Sequence, residues 1–156
     1  MLWINIVNDK IYIGIDPGKS GGICFLMDDD IKSFKCPVTT HDMTEDLVDI
    51  KETSMFLSGC TAIVEKVHAF PGQGVTSCFN FGYNYGLWQG ILSALKIQYS
   101  LISPQKWMKF YGVPKMERKD RKNYLKQLAQ QMYPDHKVTL YNADAILLAN
   151  YLKKNN

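Results

Sequence analysis

Three carboxylates stand out because each one ends or interrupts an apolar stretch of the chain. Asp16 and Glu65 each end a β-branched run, and Asp144 lies within the apolar stretch 142–151. An acid in apolar surroundings either takes up a proton or meets a cation, because burial disfavours its charged form. Three such acids brought together would bind hard divalent cations through oxygen, as magnesium and manganese prefer.

Each acid has a simpler interpretation when it is taken alone. Asp16 precedes Pro17 and Gly18, a sequence typical of a turn capped by the aspartate. Asp144 lies near the predicted start of a helix, where a carboxylate gains from the helix dipole. The three acids taken together predict a shared metal site. If the strands ending at Asp16 and Glu65 are parallel neighbours, both acids emerge at one sheet edge. Two metal ions about 4 Å apart there would activate water and stabilise the leaving oxygen of a phosphodiester.

A series of strands and helices is predicted around these acids. β-Branched runs bounded by Gly, Pro or Asp predict strands, and apolar residues about three or four apart predict helices. Strands that follow one another through tight turns are typical of an antiparallel meander. We expect one α/β domain, 1–156, with a mixed sheet flanked by helices; the apolar stretch 1–7 would pair at a sheet edge. The predicted strands are 10–16, 22–27, 31–36, 61–65 and 97–102, and the predicted helices are 44–57, 75–95, a short one from 103, 117–132 and 141–152.

The long predicted helix 75–95 has glycines at every fourth position, at Gly82, Gly86 and Gly90. Residues four apart lie on one face of a helix. Because glycine disfavours helix formation, the close approach of another backbone must compensate for it. That backbone belongs either to the sheet beneath the helix or to the same helix of a second copy.

The composition bounds the class of protein. The 156 residues are 46% hydrophobic and 21% charged, which suits a globular domain with a buried core. No apolar run is long enough to predict a membrane span. Cys24, Cys36, Cys60 and Cys78 lie far apart without a Cys-x-x-Cys pair. Reduced thiols of a cytoplasmic protein are therefore expected, rather than a zinc site or a disulfide framework.

The charge is distributed unevenly along the chain, although the net charge is only +3. The segment 28–52 holds eight acids and three bases, whereas the segment 101–140 holds nine bases and three acids. Such a basic segment indicates a face that binds a polyanion. A solvated basic helix is the alternative for a run of charges taken alone.

Five stretches, in order and at compatible spacing, resemble the RuvC family of Holliday-junction resolvases in the ribonuclease H-like superfamily, with the phage-type and organellar members matching best. The stretches are YIGIDPG at 12–18 followed by Gly21 and Gly22, AIVEKV at 62–67, FGYNYGLWQG at 81–90, SPQKW at 103–107 and ADAILLA at 143–149. The resemblance implies an α/β, ribonuclease H-like fold: a five-stranded mixed sheet flanked by helices on both faces. It also implies a homodimer, joined at the glycine face of helix 75–95, that binds a four-way junction and nicks two strands. A phage-encoded member would work in the cytoplasm of the host cell.

The resemblance also implies a metal site with two Mg²⁺ ions, for which Mn²⁺ can substitute, and no small-molecule cofactor. Its catalytic, metal-binding acids map onto Asp16, Glu65 and Asp144.

The chain departs from the family at a further acid, usually found three or four positions before the last one. Leu140 and Tyr141 stand there instead. Asn142 is the nearest polar side chain and would bind metal through its carbonyl oxygen, unless it is an acid exchanged for an amide. Asp135 is a second substitute, reaching in from the preceding loop. Metal affinity at a second site is therefore open.

A DNA face is expected beside the acids, because lysine and arginine neutralise phosphates. Lys66 would hold the scissile phosphate, and Gln73 lies in a Gly- and Pro-rich loop beyond it. Phe79 and Phe81 either wedge between bases or belong to the core, where Trp88 is expected. The basic residues expected along a DNA arm are Lys106, Lys109, Lys115, Arg118, Lys119, Arg121 and Lys122.

Three other functions stay open at the level of sequence. The segment 13–18 is similar to the phosphate hairpin of actin-like kinases and ATPases, although those need two such domains and a longer chain. The missing acid suits a branched-DNA-binding protein that no longer cuts. A nuclease of the same fold acting on other branched or RNA-containing substrates is the third alternative.

Overall fold

The computed structural model describes residues 9–55 and 58–156. These residues form a mixed sheet of five strands with helices packed on it. The elements, in chain order, are β1 (Ile11–Asp16), β2 (Gly22–Met27), β3 (Asp30–Lys35), α1 (Thr40–Ser54), β4 (Cys60–Glu65), α2 (Val75–Ala94), β5 (Gln98–Ile102), α3 (Pro104–Phe110), α4 (Arg118–Met132) and α5 (Ala143–Lys154). The order across the sheet is β3-β2-β1-β4-β5, with β1 at the centre.

The sheet joins a meander to a parallel half. β1, β2 and β3 pair antiparallel through tight turns, as their sequence predicts. β4 pairs parallel with β1, and β5 pairs parallel with β4. Each parallel pair needs a long crossover connection. The connection into β4 contains α1, and the connection into β5 contains α2. The α/β class and the five-stranded mixed sheet are therefore confirmed.

Helices cover both faces of this sheet because the side chains of a strand alternate between its faces. Ile13 and Ile15 point into one core cluster, which includes Trp88 of α2 and Leu47 of α1. The other face packs against α5, α4 and α3 in a second cluster, to which Ile63 of β4 belongs. Trp88 is fully buried, as expected for a core residue.

Helix α5 lies directly on the backbone of the central strand. A Cβ added at Gly14 would overlap the carbonyl oxygen of Ala145 and lie 2.6 Å from the nitrogen of Ala149. A Cβ at Gly22 would lie 2.9 Å from the Cα of Asn142. These glycines let the helix approach β1 and β2 more closely than any side chain permits.

The glycine face of α2 behaves differently. A Cβ at Gly82, Gly86 or Gly90 meets no described atom within 4 Å. The alternative in which the sheet beneath the helix covers this face is therefore wrong for the described five strands, because none of their atoms lies within 4 Å of a Cβ at these glycines.

Several predicted boundaries shift by a few residues. α1 begins at Thr40 rather than at residue 44, because the hydroxyl of Thr39 accepts a hydrogen bond from the Asp42 amide and caps the helix. α5 begins at Ala143 rather than at 141. Ser103 caps α3, with Pro104 in the first turn, as predicted. The predicted edge strand 1–7 and the last two residues of helix 44–57 lie outside the described residues. Within the described ranges no helix is both long and apolar enough to cross a membrane.

We expect Gly14→Ala to destabilise the protein by about 3 kcal/mol or more, because overpacking against backbone cannot relax by a rotamer change. Urea unfolding measures this loss. The matched control is Gly74→Ala, since a Cβ there meets nothing within 4 Å and the backbone φ of −58° suits any residue. Equal unfolding midpoints for the two variants would contradict the close approach of α5 to β1.

Candidate active site

The three acids meet on the face of the sheet that α5 covers. Ile15 of β1 pairs with Val64 of β4, so Asp16 and Glu65 come next on two parallel neighbours. Asp16 lies two residues after Gly14, and Glu65 two residues after Ile63, so both acids share the face on which these residues meet α5. Asp144 lies in the first turn of that helix. Asp16 and Asp144 are buried, with 8% and 5% of their surface exposed. The structure thus brings together the acids that the sequence singled out.

Burial and mutual repulsion both raise the pKa values of these acids. Burial first, and then the charges of Asp144 and Glu65, raise the pKa of Asp16 well above its ordinary value. Burial, followed by the charge of Asp144, raises the pKa of Glu65 from 4.5 to about 7. Such a cluster is costly without a cation, and groups of this kind concentrate at functional sites.

Lys122 of α4 supplies a positive charge inside this cluster. Its Nζ donates a hydrogen bond to Oδ2 of Asp144 and lies 3.9 Å from Oδ2 of Asp16. Burial lowers the pKa of Lys122, but the nearby charges of Asp144 and Asp16 outweigh that effect and raise it. Sequence reasoning placed Lys122 on a DNA arm, whereas the structure places its ammonium against the acids.

The donors in this cluster suit a hard divalent cation. All are carboxylate oxygens, and Oδ1 of Asp144 is buried with no hydrogen-bond partner among the described residues. The spacing is less suitable. Across residues 9–55 and 58–156, no group of three or more His, Cys, Asp or Glu side chains has the geometry to hold a metal ion. Among the described side chains, the Lys122 ammonium is the cation in contact with Asp144 and Asp16. A metal ion would therefore require the carboxylates to close around it.

Neither substitute for the missing acid is free beside the cluster. Oδ1 of Asn142 accepts hydrogen bonds from the amide and the hydroxyl of Thr139, at 2.7 and 3.1 Å. Its Nδ2 donates to Ser33 Oγ at 2.9 Å and to the carbonyl of Lys137 at 3.2 Å. Asn142 thus ties the start of α5 to β3 and to the preceding loop. Asp135 is exposed in that loop.

Trp107 contacts Glu65, and Asn84 contacts the turn after Asp16. Sequence reasoning assigned neither role. The indole Nε1 of Trp107 donates a hydrogen bond to Glu65 Oε2 at 2.6 Å. Oδ1 of Asn84 accepts a hydrogen bond from the Gly18 amide at 2.7 Å, which fixes the turn after Asp16. Both residues lie in stretches that carry the family resemblance, but no periodicity shows which strand end they reach.

The side chains predicted to contact DNA fall into two groups. Lys66 follows Glu65 and is exposed, and Phe79 is 73% exposed on α2. Phe81 instead packs against Gly18, since a Cβ there would meet its ring. Oε1 of Gln73 accepts a hydrogen bond from the amide of Phe70 within the same loop.

The basic residues divide in the same way. Arg121 is half-buried, and its charge lowers the pKa of Glu65, which places it near the acids with Lys122. The exposed ones, on α3, on the following loop and at the start of α4, are Lys106, Lys109, Lys115, Arg118 and Lys119.

Comparison with solved structures finds the same fold in RuvC from Thermus thermophilus. The structure described as T. thermophilus RuvC in complex with Holliday junction substrate superposes with a TM-score of 0.59 at 10% identity, covering 94% of this chain and 96% of that one. A second T. thermophilus RuvC structure gives a TM-score of 0.56 at 12% identity, over 89% and 90% of the two chains. No family model matches the sequence, and no curated protein matches it. The chain therefore has the RuvC-like, ribonuclease H-like fold, shared across almost its whole length.

We expect the metal-free protein to lose stability as the pH rises. The pKa of Glu65 is about 7 in the folded chain and ordinarily 4.5, so between these values the folded state binds more protons than the unfolded state. The free energy of unfolding then falls by roughly 3 kcal/mol across this window, and Asp16 acts in the same direction.

Urea unfolding in EDTA from about pH 5 to about pH 8 measures this fall. Glu65→Gln should flatten the profile, whereas Glu52→Gln, at an exposed position of α1, should leave it unchanged. Parallel profiles for Glu65→Gln and the unchanged protein would show that Glu65 titrates normally.

Proposed function

We propose that this chain is a metal-dependent endonuclease that cuts branched DNA, and four-way junctions in particular. The observation that carries the proposal is the convergence of Asp16, Glu65 and Asp144 at the ends of two parallel strands beneath α5. The fold shared with RuvC supports it, and one of those RuvC structures holds a Holliday junction substrate. The phage-type subdivision and a cytoplasmic location rest on sequence alone.

The three acids would hold the metal ions, with Asp144 Oδ1 as an acceptor that is unpaired among the described residues. Two Mg²⁺ ions bound there, or Mn²⁺ in their place, would supply an activated water and stabilise the departing oxygen. Lys122 keeps Asp144 and Asp16 together against their repulsion, and it carries a positive charge to the point that a phosphate must approach. Lys66, exposed directly after Glu65, suits a contact to the same phosphate.

A positive surface extends from this cluster along α3 and the start of α4. Its exposed lysines and Arg118 are spread over successive turns, as a contact to successive phosphates requires. Phe79 and Phe70 are 73% and 67% exposed beyond β4, where aromatic rings suit stacking on unpaired bases. We assign this surface to one arm of a junction.

A second copy of the chain is the proposed occupant of the glycine face. A shallow groove of about 580 Å³ runs along this face and is lined mainly by apolar groups of α2, including Gly82, Gly86 and Gly90. Tyr83, 60% exposed, borders it. The three glycines would let two α2 helices approach closely, as the resemblance to a dimeric family implies.

A cleavage assay on synthetic DNA tests the activity. With Mg²⁺, we expect paired nicks in a four-way junction. Asp16→Asn or Asp144→Asn should remove most of the cleavage rate, because each removes a proposed metal ligand, while junction binding persists. Asp49→Asn, on the exposed side of α1, is the matched control.

The outcomes separate the alternatives. Binding without cleavage by the unchanged protein would identify a branched-DNA-binding protein. Preferred cutting of three-way, flap or RNA–DNA substrates would redefine the substrate class. ATP binding in a calorimeter, without DNA binding, would favour the actin-like alternative.

The dimer has its own test. Gly86→Leu fills an open space on α2, so the monomer should fold normally while the dimer dissociates. Sedimentation should then report the monomer mass, and junctions should receive single rather than paired nicks. Asn80→Leu adds a leucine at an exposed position on another face of α2 and should leave the dimer intact. An unchanged dimer mass in Gly86→Leu would exclude this interface.

A further inference from the structure

Trp107 lies on α3, between the end of β4, which carries Glu65, and α5, which carries Asp144. It occupies the first turns of α3, which starts directly after β5, and β5 pairs Ile102 with Glu65. The Lys66 amide also donates a hydrogen bond to the Ile102 carbonyl, at 2.7 Å. The start of α3 is therefore fixed to the same sheet position as the Glu65 carboxylate.

The indole of Trp107 is packed in the core and also donates a hydrogen bond to an acid of the candidate site. Only 1% of its surface is exposed, and its Nε1 donates to Glu65 Oε2 at 2.6 Å. Indole is a donor with no acceptor, and it does not ionise near neutral pH. It can therefore hold a carboxylate oxygen without adding charge to the cluster and without competing for a cation.

A second contact connects Trp107 to the helix that carries Asp144. Its ring packs edge-on against Tyr111, with centroids 6.3 Å apart. The Tyr111 hydroxyl donates to the carbonyl of Leu147 at 2.7 Å and accepts from Asn150 Nδ2 at 2.8 Å, and both partners lie on α5. One network thus connects Glu65 at the end of β4, through α3, to α5, the helix that carries Asp144.

We propose that Trp107 is a positioning residue: its indole N–H fixes the Glu65 carboxylate through Oε2, within the cluster of acids that would bind a divalent cation. This role rests on the proposed function, because it needs the acids to bind metal. Residues that hydrogen-bond to metal ligands set ligand orientation, and their loss typically weakens metal affinity about 10–100-fold.

Trp107→Phe tests this role, because it keeps an aromatic ring and removes the N–H donor. The readout is Mg²⁺ affinity of the full chain without DNA, measured by isothermal titration calorimetry. We expect the Mg²⁺ dissociation constant to rise about 10-fold or more.

The matched control is Trp88→Phe. Trp88 is equally buried, but it lies in the cluster on the other face of the sheet, and its Nε1 has the Cys36 thiol nearby rather than an oxygen acceptor. It should lose packing to a similar extent and keep the Mg²⁺ dissociation constant within about twofold. Equal Mg²⁺ affinities for the two variants would overturn the role of Trp107.

A second measurement covers the case in which Trp107→Phe does not fold. Replacing the indole of Trp107 by benzothiophene keeps a bicyclic aromatic ring and exchanges the N–H for a sulfur atom, which cannot donate a hydrogen bond. The same loss of Mg²⁺ affinity is therefore expected. Unchanged affinity with benzothiophene would also overturn the proposal.

Fluorescence gives a signature that a purely structural role would not produce. The chain has three tryptophans, so Trp107 is the one indole that remains when Trp3 and Trp88 are replaced by Phe. Its emission should change during a Mg²⁺ titration and stay constant in the same titration of the Glu65→Gln form. If the unchanged protein binds no Mg²⁺, the proposed function fails; if it binds and Trp107 does not respond, only the positioning role fails.

Discussion

The close approach of α5 to the backbone of β1 sets the spacing of every group in the candidate site. Gly14 has no side chain, so Ala145 and Ala149 lie against the strand itself. The first turn of α5 is thereby held over the end of β1. Asp144 consequently reaches the Lys122 ammonium, which also lies near Asp16. A larger residue at position 14 would separate the helix from the sheet and the acids from one another.

The close approach of α5 to β1 brings negatively charged carboxylates together in a buried place, which is electrostatically unfavourable. Buried acids close together cannot all ionise freely, which is why the pKa of Glu65 rises to about 7. Lys122 offsets part of the negative charge, and the Trp107 indole offsets part of the desolvation of Glu65. A cluster that remains under-compensated is unfavourable for folding alone, and it is the condition in which a divalent cation binds strongly.

Helix α2 connects two regions that would otherwise be independent. On one side, Asn84 and Phe81 contact Gly18 and fix the turn after Asp16. On another side, its glycine face has no described atom within 4 Å of a Cβ built at Gly82, Gly86 or Gly90. A second copy seated there would lie about one helix diameter, roughly 10 Å, from the turn that holds the first acid. Assembly and the geometry of the site would thus share one helix.

The sequence by itself determined the elements and the acids. β-Branched runs ending at Asp16 and Glu65, a capped α3 and an apolar α5 containing Asp144 are local patterns, because strand and helix periods repeat within a few residues. What only the tertiary structure decided are the contacts between elements: Lys122 against the acids, Trp107 on Glu65, and a glycine face left uncovered by its own sheet. Such contacts depend on how closely helices pack on the sheet, and no repeat along the chain records that distance.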